Sequence, residues 1–126
     1  MRCLPCVVIM STVLLAACAV PGEGGVTAVL EKPAERALLQ GLRAYEDAHY
    51  ADAQRELTQA LALGLVSAKD RAAAYKHLAF IHCASQRIAP CEEAFKQARA
   101  ADPQFELSKA EAGHPVWGPG YRKVLQ

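Results

Sequence analysis

The sequence lacks the common motifs of a catalytic or nucleotide-binding site. Beyond residue 17 it has no Cys-x-x-Cys pair, and nowhere does it have a Gly-x-Ser-x-Gly turn or a glycine-rich phosphate loop. Its one long apolar stretch, near the amino end, is shorter than the ~20 residues that a helix needs to span a bilayer. We therefore expect no enzymatic activity, no bound cofactor and no membrane-spanning helix.

The chain also lacks an excess of charge of either sign. Its 14 Lys and Arg residues are balanced by 13 Asp and Glu residues, which gives a formal net charge of +1. Nucleic acids and anionic membrane surfaces attract proteins that carry a basic excess. The balance therefore argues against nucleic acid as the partner and against membrane attachment through a basic patch.

Residues 1–17 have the features of a secretory signal peptide. Arg2 gives a single positive charge, an apolar run extends to Leu15, and two small residues follow. The sequence from Leu15 to Cys18, Leu-Ala-Ala-Cys, resembles the lipobox of bacterial lipoproteins, in which the leader is removed and the cysteine is lipidated. The resemblance implies lipidation of Cys18. The alternative is an ordinary cleaved signal in which Cys18 is present by chance.

The region after the predicted cleavage site indicates where the protein is attached. Removing the leader takes away Arg2 and no acidic residue, so the mature chain has no formal net charge. Ala19 stands where an Asp tends to retain enterobacterial lipoproteins in the inner membrane. The resemblance therefore implies lipid anchoring in the outer membrane, on its periplasmic face. Residues 18–32, with Pro21 and three glycines, are predicted to be the lipidated cysteine and a flexible tether.

Apolar residues spaced by three and four predict helices from Pro33 onward. Pro33 suits a first helical turn because a helix does not use the amide hydrogen that proline lacks. The polar stretch 46–49 breaks the pattern, and a second helical run goes from Tyr50 to the vicinity of Gly64, a residue that favours helix ends. Together these two helices predict one antiparallel hairpin.

A second helical hairpin is predicted directly after the first. Ser67 or Asp70 can cap its first helix, and its turn lies around residues 85–87. Its second helix carries Pro90 early and stops at 102–103, because the residue before a proline disfavours the helical conformation. The predicted fold is therefore all-α, with two hairpins in residues 33–103 and a capping segment in residues 104–126.

Residues that recur in the two hairpins resemble the tetratricopeptide repeat (TPR), which pairs two helices in about 34 residues. The matching residues are Gly41, Tyr50, Ala53, Leu57 and Ala60 in the first unit, and Tyr75, Leu78, Ala79, Phe95, Ala98 and Pro103 in the second. The sequence departs from the pattern where Leu65 replaces a closing proline and Cys91 replaces a small alanine. The resemblance implies a fragment of an α-solenoid. The alternative is an unrelated helical bundle.

Cys83 and Cys91 are predicted to form a disulfide that joins the helices of the second hairpin. Each lies four residues from Arg87, at the centre of the predicted turn, and antiparallel helices bring such positions level with each other. Export to an oxidising compartment favours the same pairing. A metal site formed by these two cysteines and His82 is the less favoured alternative, and we predict no metal.

The carboxyl-terminal segment contains most of the remaining aromatic residues. We expect Phe105, Leu107, Trp117 and Tyr121 to cover the open end of the second hairpin, because a small repeat array needs its apolar end closed. A short helix is predicted from Pro119 through Val124. The alternative interpretation is that Trp117 and Tyr121 form part of a partner-binding site.

The TPR resemblance and the export signal together indicate a function. They imply a periplasm-facing scaffold for protein–protein interaction, or an accessory factor of an envelope assembly such as a secretion or pilus-type system. The expected partner is another envelope protein or peptide, and the sequence also allows a second copy of the same chain as the partner. The alternative is a small envelope thiol or redox protein that uses Cys83 and Cys91.

Overall fold

The computed structural model describes residues 32–126. The predicted signal peptide, Cys18 and residues 19–31 of the predicted tether therefore lie outside the described residues. The described part contains no strand and six helices, which are α1 (Pro33–Glu46), α2 (Tyr50–Leu63), α3 (Ala68–Ala84), α4 (Ile88–Ala101), α5 (Lys109–Ala112) and α6 (Gly118–Val124). The predicted all-α hairpin class is confirmed. Between residues 32 and 126, no helix is both long and apolar enough to cross a membrane.

The helices pack as two consecutive hairpins, α1 with α2 and α3 with α4, and α2 also packs against α3. Small residues allow the close approach within the first hairpin. A Cβ atom at Gly41 would lie only 2.8 Å from the Cγ atom of Leu57, so α1 could not pack this closely on α2 with a larger residue there. Ala53 and Ala60 of α2 are also fully buried. The hydrophobic core follows these contacts from α1 through α4.

Local sequence signals determine where the helices begin and end. Pro33 is the first residue of α1, and Gly64 follows the last residue of α2 with a φ of 92°, the left-handed conformation that favours glycine. Of the two predicted caps of α3, it is Ser67 whose side chain accepts a hydrogen bond from the backbone N–H of Asp70, at 3.2 Å. The predicted terminal helix begins one residue earlier than expected, at Gly118.

The turn of the first hairpin is repeated in the second, 38 residues later. Ala48 and Gln86 both have positive φ angles, 60° and 59°. The backbone N–H of the next residue, His49 or Arg87, donates to the carbonyl oxygen five residues earlier, at 2.8 and 2.9 Å respectively. The two hairpins therefore share one turn geometry at the same offset as their sequence pattern.

The carboxyl-terminal segment packs on the second hairpin. Its α6 lies against α4, and α5 packs against α6. Leu107 and Tyr121 from this segment belong to the hydrophobic core, and Phe105 and Trp117 pack against its edge. The segment thus covers apolar side chains of α3 and α4.

Candidate functional site

Trp117 is stacked between two other rings. The centre of its ring system lies 4.4 Å from that of Phe80 in α3 and 3.5 Å from that of His114 in its own segment. The indole is half-buried, and its N–H is buried without a hydrogen-bond partner among the described residues. Trp117 therefore attaches the carboxyl-terminal segment to α3.

Tyr121 is packed inside the molecule, with only 5% of its surface exposed. Its ring lies edge-on to Phe95 of α4 at 5.3 Å and to Phe105 at 6.3 Å. Its hydroxyl oxygen accepts a hydrogen bond from the backbone N–H of Leu107 at 3.3 Å. Trp117 and Tyr121 thus make their ring contacts within the chain, which is the arrangement that the capping interpretation expects.

Cys83 of α3 and Cys91 of α4 are joined by a disulfide whose Cα atoms lie 5.2 Å apart. The two residues are 4% and 0% exposed, so solvent has almost no access to the bond. Gly120 of α6 lies directly over it, because a Cβ atom at this position would be 3.4 Å from each sulfur. The bond therefore joins the two helices of the hairpin and lies beneath α6.

An ion pair connects α3 to the start of α5. The Lys76 amino group donates to a Glu111 carboxylate oxygen at 2.8 Å. Glu111 also forms a reciprocal cap with Ser108, because the Ser108 hydroxyl accepts from the Glu111 N–H and the Glu111 carboxylate accepts from the Ser108 N–H. Burial acts to raise the pKa of Glu111, but the hydrogen bonds from Lys76 and Ser108 outweigh it and lower that pKa.

Two histidines of α3 have lowered pKa values. Burial is the main cause at His77, whose Nδ1 lies 2.8 Å from the carbonyl oxygen of Ala73. Burial and the nearby charge of Arg87 lower the pKa of His82. No group of three His, Cys, Asp or Glu side chains within residues 32–126 is placed to hold a metal ion. The alternative site of His82 with the two cysteines lacks free thiols, because the cysteines are bonded to each other.

An exposed apolar surface lies where α1 begins and where α2 is connected to α3. Leu39, Leu63 and Val66 are 39%, 49% and 82% exposed. Val66 lines two adjoining depressions of about 450 and 360 Å³, which share Lys32 and Glu35. Asp70 lines the larger of the two. We refer to the three apolar residues and the carboxylates of Glu35 and Asp70 as the amino-terminal surface.

The sequence patterns described above do not predict this surface. Its signal was present, because Leu63 and Val66 flank the helix-ending Gly64, in a position where connecting segments are usually polar. Leu39 likewise lies outside the buried set of α1, which consists of Ala34, Ala37, Leu38 and Gly41. Leu39, Leu63 and Val66 are apolar, yet they lie neither on a buried helix face nor in a polar turn. This sequence feature could have indicated the amino-terminal surface.

No protein-family model matches this sequence, and comparisons with curated proteins and with solved structures give no significant match. The described residues define the class directly. They form an all-α protein of two consecutive hairpins closed at one end by a carboxyl-terminal segment.

Proposed function

We propose that the protein is a TPR-like lipoprotein that acts as a protein–protein interaction scaffold. It is anchored through a lipid on Cys18 to the outer membrane and faces the periplasm. It binds another envelope protein or peptide, as an accessory factor of a secretion or pilus-type assembly, and catalyses no reaction. The observation that carries the proposal is the repeated hairpin together with the exposed apolar residues Leu39, Leu63 and Val66.

The 38-residue repetition supports the resemblance to TPR units. The residues at the pattern's positions in the second helix are buried in both hairpins, with Cys91 in place of the usual alanine: Ala53, Leu57 and Ala60 in α2, and Cys91, Phe95 and Ala98 in α4. The two turns share one backbone conformation and one hydrogen-bond pattern. Proteins built from stacked helical hairpins generally use the extended surfaces of the stack to bind other proteins.

The amino-terminal surface is the region to which we assign the partner. Contiguous apolar residues exposed on a folded protein mark interaction sites more often than isolated ones do. Glu35 and Asp70 line the same depression as the exposed Leu39 and Val66, and Lys32 is the one basic residue in its lining, so the acidic charge exceeds the basic charge there by one. The occupant that fits this chemistry is an apolar segment of a partner protein that carries a basic residue beside its apolar side chains.

The assignment predicts that Val66→Asp removes the partner without harming the fold. Val66 lies in the connection between α2 and α3 and is 82% exposed, so we expect the melting temperature to stay unchanged. Crosslinking in intact cells followed by affinity purification should then lose the partner that the unmodified protein retains.

The matched control is Val116→Asp, which places the same charge on an exposed apolar residue of the carboxyl-terminal segment. This variant should keep the partner. Retention of the same partner by Val66→Asp would contradict the assignment to the amino-terminal surface.

The membrane anchor is tested separately by Cys18→Ser. We expect this variant to lose labelling by radioactive palmitate and either to leave the membrane fraction or to accumulate with its leader attached. The lipid is expected to supply the attachment because the chain has no basic excess. Unchanged membrane partition together with normal processing would contradict a lipid on Cys18.

A further inference from the structure

We propose that α6 acts as a latch over the Cys83–Cys91 disulfide, and that external thiols exchange with this bond only when α6 has moved away. Gly120 lies above both sulfur atoms, so closely that a Cβ atom at this position would be in van der Waals contact with each of them at 3.4 Å. Both cysteines are buried. A dithiol reagent is far larger than the space between Gly120 and the two sulfur atoms, so it cannot reach either sulfur while α6 is in place.

Reduction of the disulfide requires that a dithiol reach one of its sulfur atoms. The thiolate of a dithiol attacks one protein sulfur, forms a mixed disulfide and releases the other cysteine as a thiolate. The second thiol of the reagent then attacks the mixed disulfide. It leaves the protein with two free thiols and the reagent as a cyclic disulfide, so two electrons pass to the protein. The first attack requires direct contact between the incoming sulfur and a protein sulfur.

The latch is held by fewer interactions than the hairpins are. The ring of Tyr121 supplies the main buried contact, on Phe95, and its hydroxyl accepts from the backbone N–H of Leu107. Two exposed hydrogen bonds add to this contact, because Arg99 donates to the carbonyl oxygen of Val124 and Arg122 donates to that of Ala112, each at 3.1 Å. Lys123 pairs with Glu92 of α4 at 2.9 Å, but the lysine is largely exposed, and such pairs contribute little. A seven-residue helix is also too short to be stable without its packing. Opening of α6 should therefore require less free energy than unfolding of the hairpins.

This inference does not depend on the proposed function. It implies that the disulfide is preserved while α6 is closed and becomes exchangeable when a partner draws α6 away. It also explains how a buried bond could respond to reductants without unfolding of the four long helices.

The test measures the rate at which dithiothreitol reduces the purified oxidised protein under native conditions. Free thiols are trapped with iodoacetamide and counted by mass spectrometry. Tyr121→Ala should be reduced at least about tenfold faster, because losing a buried aromatic contact weakens the closed state by more than the ~1.4 kcal/mol that corresponds to a factor of ten. Gly120→Ala should be reduced about two- to fivefold more slowly, because alanine favours the helix.

Tyr121→Phe keeps the ring but removes the hydroxyl that accepts from Leu107, so its rate should lie between those of the unmodified protein and Tyr121→Ala. The control variant Leu125→Ala should react like the unmodified protein. Leu125→Ala changes an exposed residue just past the end of α6. The rate of global unfolding, followed by circular dichroism, is measured for each variant.

The proposal requires that reduction be faster than global unfolding and that the Tyr121 and Gly120 variants move the rate in opposite directions. If Tyr121→Ala does not fold, Gly120→Ala alone decides, and an unchanged or faster rate overturns the proposal. Equal reduction rates in all variants would mean that α6 does not control access to the disulfide. Reduction at the rate of global unfolding would mean that the whole molecule must open.

Discussion

At the scale of single residues, the two hairpin turns carry a conformation that their side chains disfavour. Ala48 and Gln86 have φ angles of 60° and 59°, in the left-handed region. For residues other than glycine this conformation costs roughly 1–2 kcal/mol. The surrounding hydrogen bonds of each turn, including those that His49 and Arg87 donate, hold it in place. Each turn therefore contains local strain that a glycine would relieve.

We predict that Ala48→Gly stabilises the protein. Relief of the left-handed strain outweighs the larger chain entropy of glycine in the unfolded state, so the free energy of unfolding should rise by about 0.5–1 kcal/mol. Chemical denaturation monitored by circular dichroism measures the change. Ala62→Gly, at an exposed position of α2 with the ordinary helical conformation, is the control and should lower stability by about 0.5–1 kcal/mol. Destabilisation by both variants would show that the turn is not strained.

At the scale of helices, sequence patterns predicted the four long elements and the terminal helix well. Helix ends depend on local chemistry, such as the left-handed Gly64 and the Ser67 cap, so the sequence near each end is sufficient to locate it. The four-residue α5 was not predicted, although Ser108 and Glu111 have the spacing of a capping box. One helical turn contains too few residues for a periodic apolar pattern.

Contacts between distant parts of the chain were harder to predict. The pairing of Lys76 with Glu111 and the stacking of Phe80 on Trp117 join residues more than 30 positions apart. Sequence periodicity gives the buried face of each helix but not the side chain that will meet it. The general role of the carboxyl-terminal segment could therefore be inferred, whereas its particular partners on α3 and α4 could not.

The disulfide belongs to this scale because it joins two neighbouring helices. We predict that reduction lowers the melting temperature by ~8–20 °C, since closing so short a loop stabilises by about 2–3 kcal/mol in the chain-entropy model. The cysteines are only eight positions apart in sequence. Scanning calorimetry of oxidised protein and of the Cys83→Ala, Cys91→Ala double variant measures the difference. The double variant should be insensitive to added reductant, and two free thiols in the native protein would rule out the bond.

At the scale of the whole molecule, His77 lies where the two hairpins meet. Its ring contacts Tyr45 of α1 edge-on at 4.9 Å and Phe80 of its own helix at 5.9 Å. Burial lowers the pKa of His77 below its ordinary value of 6.5, and the nearby Lys76 charge adds to the effect. The contact between the hairpins therefore favours an uncharged imidazole.

We predict that the protein loses stability as the pH falls below about 6.5, the ordinary pKa of histidine. In that range the unfolded chain binds a proton at His77 while the folded protein does not, so unfolding is favoured until the pH reaches the lowered pKa of the folded state. His82 contributes in the same direction. Urea denaturation as a function of pH should show a smaller loss for His77→Phe, which keeps an aromatic ring. His49→Gln, at an exposed turn, should keep the full loss, and equal loss in all three proteins would contradict the role of His77.

The cap follows the four long helices in sequence, and this order also determines how the molecule can assemble during synthesis. A ribosome completes α1 to α4 before it adds Trp117 and Tyr121, so Phe80 and Phe95 lack their covering rings until residue 121 is made. A partly made chain therefore presents an aromatic surface that a finished chain conceals. Truncated products that end before residue 117 should be the forms that chaperones and proteases recognise, which gives the cell a direct means to distinguish complete copies from incomplete ones.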